Sequence, residues 1–98
     1  MEITITGRHI VVDEPVRQYI QGRIQKLSRI CSGITDVHVV VDREHDTHVV
    51  EVTSHAAPHH HFVARAEGAD LRRTIDQADH RLTAQVRSFK GKLVKHRV

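Results

Sequence analysis

Residues 34–68 read ITDVHVVVDREHDTHVVEVTSHAAPHHHFVARAEG, and their alternation decides the fold. Val37, Val39 and Val41 fall on one side of the first run, Val50 and Val52 share a phase in the second, and Phe62, Ala64 and Ala66 share one in the third. A period of two built from β-branched residues marks strands with one buried face. Asp42-Arg43-Glu44-His45-Asp46 is polar enough for a hairpin tip, and Ala57-Pro58 interrupts the pattern a second time. Three strands, over 34–41, 48–55 and 61–66, are therefore predicted to form an antiparallel meander.

Outward from this stretch the periodicity changes. Residues 2–6 alternate with Ile3 and Ile5 on one face, and Gly7 comes next as a break. Asp13 suits an N-cap, Glu14 suits the positive end of a helix and Pro15 fits its first turn; Val16, Tyr19, Ile20, Ile24, Leu27 and Ile30 then recur at helical spacing, with Gly33 as a stop. The spacing predicts a helix over 13–31. Beyond Glu67-Gly68, the positions Leu71, Ile75, Ala78, Leu82, Val86 and Phe89 predict a second helix over 70–90, followed by a basic tail over about 90–98 that is expected to be flexible. A helix of crossover length between the first two strands allows them to pair in parallel. The expected fold is α+β: a two-layer βαβββα sandwich in which two helices cover one face of a four-stranded sheet.

Ninety-eight residues, 39% of them apolar, suit a single domain spanning 1–98. No apolar run approaches the roughly 20 residues of a membrane-spanning helix. Met1-Glu2-Ile3-Thr4-Ile5 has neither a basic lead nor an apolar signal core, so a cytoplasmic location is expected. Cys31 is the only cysteine, which excludes an internal disulfide and a multi-cysteine zinc site and leaves packing as its expected role. With three aromatic residues and no obvious stacking pair on the open sheet face, base stacking by the sheet is poorly supported, and the helices are the better candidates for contact with RNA.

The net charge of +3 is small, but its distribution is uneven. Arg17, Arg23, Lys26 and Arg29 occupy residues 17–29 with no acid among them, and Arg81, Arg87, Lys90, Lys92, Lys95 and Arg97 occupy the last 18 residues, again without an acid. Ten of the fifteen basic residues lie in these two segments. Such segregation points to a polyanionic partner, because Lys and Arg neutralise phosphates and release their counterions. On a helical wheel Arg23, Lys26 and Arg29 form a stripe along one flank of the first helix, with Arg17 on the other. Arg23 nearly overlaps the apolar sector and is expected to snorkel to the edge between the helices. Arg81, Gln85, Ser88 and Lys92 fall on one line of the second helix. Ordinary solvated helix faces account equally well for this spacing.

Ten histidines raise the question of a metal. His55, His59 and His61 are the candidate ligands, but His59, His60 and His61 are consecutive, so neighbours on a strand point to opposite faces, and no acid lies between Pro58 and Ala66 to complete a set. No cofactor is expected. There is no Gly-rich phosphate loop, no Gly-x-Ser-x-Gly elbow and no His-Glu-x-x-His pair, so the chain is not expected to be an enzyme. Histidine-rich strands do suggest that RNA affinity could vary with pH.

Ala66-Glu67-Gly68-Ala69-Asp70-Leu71, Ile75-Asp76, Arg81-Leu82 and Gln85-Val86 form an ordered series; with them stand Ile3-Thr4-Ile5-Thr6-Gly7, Val16-Arg17-Gln18-Tyr19-Ile20 and Arg23-Ile24-Gln25-Lys26-Leu27. Over essentially the whole chain this series resembles the ribosome hibernation promoting factor and ribosome-associated inhibitor family. The resemblance implies a fold similar to double-stranded RNA-binding domains and a site on the small ribosomal subunit where messenger and transfer RNA would sit. It implies inhibition of translation under stress by occlusion, with rRNA contacts at Arg17, Arg23, Lys26, Arg81, Gln85, Lys90 and Lys92. Arg29, Arg87, Lys95 and Arg97 are further candidates from the basic segments themselves. The family often has basic residues where this chain has Ala84 and Ser88, and an aromatic where it has Arg72. Ending at Val98, the chain resembles the short form, which implies a separate modulation factor for any pairing of ribosomes. Neither a membrane nor DNA is an expected partner. The competing reading is a protein-interaction module, for example a modulator of an alternative sigma factor, acting through an exposed sheet edge.

Overall fold

The structure is a computed structural model that describes the backbone of residues 1–96 and the side chains of residues 1–89. Its elements are β1 (Glu2–Arg8), α1 (Glu14–Ile24), α2 (Leu27–Ile30), β2 (Ile34–Glu44), β3 (Thr47–Ala56), β4 (His60–Gly68) and α3 (Leu71–His96). The strands form one sheet in the order β1-β2-β3-β4. β1 runs parallel to β2, with Ile3 opposite Val37 and Ile5 opposite Val39, and the other two pairs are antiparallel, as the sequence predicts.

Alternation along the strands sends Val37, Val39, Val41, Val50, Val52, Phe62, Ala64 and Ala66 into one core with Ile20, Ile24, Leu27, Ile75, Ala78, Leu82 and Val86 from the helices. Each fully buried Val, Ile or Leu contributes roughly 1.5–3 kcal/mol. α1 lies beside β1, and α3 lies over β3 and β4. The expected cap is in place, Asp13 accepting a hydrogen bond from the Val16 amide at 3.1 Å, and at the start of α3 Asp70 accepts one from the Arg73 amide at 3.1 Å.

Three boundaries differ from those expected. The helix predicted over 13–31 is divided by a turn at Gln25-Lys26, where the Ser28 hydroxyl donates to the Gln25 carbonyl at 2.8 Å and the bonding tightens from Ser28 to Gln25 and from Arg29 to Lys26. The β2–β3 ladder runs on to Glu44 opposite Thr47, so the hairpin tip is only His45-Asp46, with His45 at a φ of 57°. α3 continues to His96, through most of the segment expected as a tail. The side chains of Lys90, Lys92 and Lys95 and the whole of Arg97 lie outside the described residues.

Two glycines of the family series have a steric reason to be there. A Cβ at Gly7 would stand 2.6 Å from the Ile10 carbonyl oxygen, where the chain folds back over β1, and one at Gly68 would stand 2.8 Å from Thr74 Oγ1. Thr74 is itself buried and fixed by donation to the Asp70 carbonyl at 2.7 Å, so it cannot readily yield at the entrance to α3.

Candidate nucleic-acid interface

The two helical segments are joined by a polar clasp. Tyr19 donates its hydroxyl hydrogen to Asp76 at 2.5 Å, and Arg23 reaches the same Asp76 oxygen at 3.2 Å and Asp79 at 3.1 and 3.0 Å. Arg72 covers the Tyr19 ring, its guanidinium carbon 4.8 Å from the ring centre. Burial works against the charge of Arg23, but Asp79 and Asp76 outweigh it and hold the guanidinium protonated more firmly than usual. The hydrogen bond to Asp76, reinforced by burial, holds the Tyr19 hydroxyl above the usual phenol value.

Beside the clasp a groove of about 360 Å³ opens between α2 and α3, lined by Arg23, Lys26, Leu27, Arg29 and Ile30 on one side and Asp79, His80, Thr83 and Arg87 on the other. Lys26, Arg29 and Arg87 are exposed, and no carboxylate pairs with any of them among the described residues. Asp79, the one acid in the lining, is already engaged with Arg23 and accepts from Thr83 at 3.4 Å. Three cations without carboxylate partners among the described residues thus line a concave site whose one acid, Asp79, is held by Arg23. Such a site suits an anion with several oxygens, such as a phosphodiester backbone.

The other predicted contacts are placed differently. Gln85 donates to the Val63 carbonyl at 2.6 Å, and Arg81 donates to the Arg65 carbonyl, so both reach down to the edge strand β4 and not into the groove. Arg17 is half-buried on α1 and does not line the groove. Arg23 snorkels to the edge between the helices, as the wheel predicts, but its charge is matched there by two carboxylates. His80 escaped sequence reasoning, although its spacing to Thr83 and Arg87 puts the three on one line of α3. Asp76 stood in the family series, but its role as a partner for both Tyr19 and Arg23 needed the fold to bring α1 and α3 together.

The open face of the sheet is a poor seat for a polyanion. Register places Glu2, Asp36, His55 and His61 in one row, with Asp42, Glu51 and Glu67 further along and only Arg8 and Arg65 to oppose them. Asp36 is held below the usual carboxylate range by its hydrogen bond from His55, with Thr35 adding to it, and Asp42 is held down chiefly by the bond from His9. The three histidines considered as metal ligands line one open pocket beside Pro58, but their rings do not converge on a common point. His55 and His61 stack face to face with centres 4.9 Å apart, His59 lies in the turn before β4, and His60 leaves that face to pack 4.1 Å from Phe89. Among the described residues no group of three His, Cys, Asp or Glu side chains could hold a metal ion, and no helix is long and apolar enough to cross a membrane.

Fold and site together define a small two-layer α+β domain with a cationic groove in its helical layer and an acidic, histidine-bearing sheet face. A sequence-family model described as "Sigma 54 modulation protein / S30EA ribosomal protein" matches residues 3–94, and the chain belongs to that family. It is 31% identical over 96 residues to the ribosome hibernation promoting factor of Escherichia coli, covering 98% of this chain and 100% of the relative. To the protein of the same name from Pseudomonas putida it is 30% identical over 92 residues, covering 94% and 89%. The N-terminal domain of Thermus thermophilus Protein Y superposes with a TM-score of 0.84 at 27% identity, covering 91% of this chain and 99% of that one. A ribosomal subunit interface protein from Coxiella burnetii shares the fold, with a TM-score of 0.84 at 22% identity over 93% and 99% of the two chains.

Proposed function

We propose that this chain is a ribosome-associated translation inhibitor that binds small-subunit ribosomal RNA in the channel used by messenger and transfer RNA, holding ribosomes inactive under stress. The observation that carries the reading is the interhelical groove, which Lys26, Arg29 and Arg87 line without carboxylate partners among the described residues. The names of its relatives support a ribosomal partner, and the sign of the charge on each face favours the helices as the side that meets RNA. Inhibition here is steric: the domain fills space that the translated message and its adaptors need, and no bond is made or broken. The cytoplasm is where such a protein would act, and a separate ribosome modulation factor is a further candidate partner.

Cosedimentation of the purified, tag-free chain with small ribosomal subunits across a salt series tests the reading. Binding should fall steeply as salt rises, because each neutralised phosphate adds about 0.7–0.9 to the slope of log affinity against log salt. Messenger and transfer RNA should displace the protein. Binding that ignores both salt and those competitors would point to a protein partner instead. For that rival, the sigma-factor type of modulator acting through a sheet edge, β4 is a poor template because Gln85 and Arg81 occupy two of its carbonyls, which leaves β1 as the edge to consider.

A further inference from the structure

We infer that His80 is a proton-coupled phosphate ligand of the interhelical groove, so that ribosomal RNA is held more tightly as the pH falls. The inference rests on the function proposed above and adds a binding residue, and a regulation, to the same site.

His80 is exposed on the α3 wall of the groove, two turns before Arg87 and on the same line of the helix. Across the groove stand Lys26 from the turn and Arg29 from α2. The remaining charged groups of the lining are Arg23 and Asp79, and Asp79 is turned to Arg23 and Thr83. The neighbours of His80 across the groove are thus cations, and the acid of the lining is taken up by Arg23 and Thr83. A phosphodiester entering between the walls reverses that balance by bringing negative oxygens among the same groups. Imidazole is the side chain whose ordinary titration falls between pH 5 and 8, so the reversal occurs where protonation can respond. A group that prefers its proton in the complex makes binding take up a proton. Affinity then rises as pH falls into the range where imidazole ordinarily titrates and is lost as pH rises above it.

The histidines of the sheet cannot do this. His55 and His61 stand on the face opposite the helices, in a row with Glu2 and Asp36, where a polyanion is disfavoured. They serve as the internal control.

The experiment measures affinity for purified small ribosomal subunits at one salt concentration, at about pH 6 and about pH 8. The unaltered chain should bind about fivefold tighter at the lower pH, the size expected when one imidazole takes up a proton together with the ligand. His80→Gln should remove that difference and bind at both values as the unaltered chain does at the higher pH. His80→Arg should bind tightly at both. The double variant His55→Gln with His61→Gln should keep the full difference. A His80→Gln chain that still tightens on acidification would overturn the inference, as would loss of the effect in the sheet variant. Salt-sensitive binding with no pH dependence in the unaltered chain would sink the role of His80 and leave the RNA reading standing, whereas no binding at either pH would remove both.

Discussion

The two flanks of α3 carry similar residues and behave differently. Towards β4, Arg81 and Gln85 donate to the backbone carbonyls of Arg65 and Val63. Towards α2, His80, Thr83 and Arg87 line a groove in which Lys26, Arg29 and Arg87 have no carboxylate partner among the described residues. A polar side chain a few residues along the same helix is thus fastened to the sheet on one flank and left facing a groove on the other. What separates them is whether an unsatisfied acceptor lies within reach. The β4 edge offers such acceptors, and an uncovered edge is also a template for unwanted pairing; in the groove the side chains of Lys26, Arg29 and Arg87 make no ion pair among the described residues.

The largest effect expected from this difference is in binding. Changing Lys26, Arg29 and Arg87 together to Gln should weaken attachment to small subunits about a hundredfold, at roughly 1 kcal/mol for each lost phosphate contact, and should flatten the salt dependence. Because all three are exposed and form no ion pair among the described residues, the thermal midpoint should hardly move. Changing Arg81 and Gln85 together to Ala should do the reverse. Two hydrogen bonds to carbonyls are lost, costing about 1–2 kcal/mol of stability after allowance for exposure, while affinity should change by less than about threefold. Titration of subunits with both variants decides the matter. Should the β4 flank prove the more damaging to binding, Arg81 and Gln85 would have to let go of the sheet to reach RNA, and the roles assigned to the two flanks would be exchanged.

Arg23 lies between these extremes. Its side chain is 30% exposed and that of Asp79 only 13%, so the clasp is partly shielded from solvent. Arg23→Gln would leave Asp76 and Asp79 side by side without their common cation, and a loss of about 1–3 kcal/mol is expected in a urea unfolding curve. Arg23→Lys should recover only part of it, since one ammonium cannot reproduce the planar fork that reaches both carboxylates. If Arg23→Gln unfolded at the same urea concentration as the unaltered chain, the clasp would be ornamental, and Arg23 would return to the set of residues free for RNA.

The fold was legible because strand and helix periods are written in residues of strong preference. Val37, Val39, Val50 and Val52 could only face a core, and Asp13 and Asp70 stand where α1 and α3 need their first amides capped. The division of the first helix at Gln25-Lys26 was not legible: no Gly or Pro marks it, and it depends on the Ser28 hydroxyl finding the Gln25 carbonyl. At the site, Lys26, Arg29 and Arg87 could be named from charge alone, but the partnering of Arg23, Arg81 and Gln85 could not. A wheel shows which side chains share a line. It does not show which carboxylate or carbonyl another element brings beneath them, and that is decided by packing between residues far apart in the chain. His80 was passed over for the same reason, because its interest comes from the helix across the groove.

The smallest expected effect belongs to the sheet face, and it completes the contrast with the clasp. Asp36 and His55 are 3.0 Å apart, but their side chains are 43% and 54% exposed, so solvent screens the pair far more than it screens Arg23 and Asp79. The hydrogen bond from His55, and secondly that from Thr35, lowers the titration of Asp36 in the folded chain. A carboxylate lowered on folding adds stability above its unfolded value, and that contribution disappears as pH falls through the lowered folded value. His55→Gln should therefore raise the titration of Asp36, read from its carboxylate carbon resonance, towards the ordinary range. The stability of the domain should change by less than about 0.5 kcal/mol near neutral pH. An unchanged Asp36 titration would assign the lowering to Thr35 alone, and the stacked pair of His55 and His61 would then rest on ring contact without support from the neighbouring carboxylate.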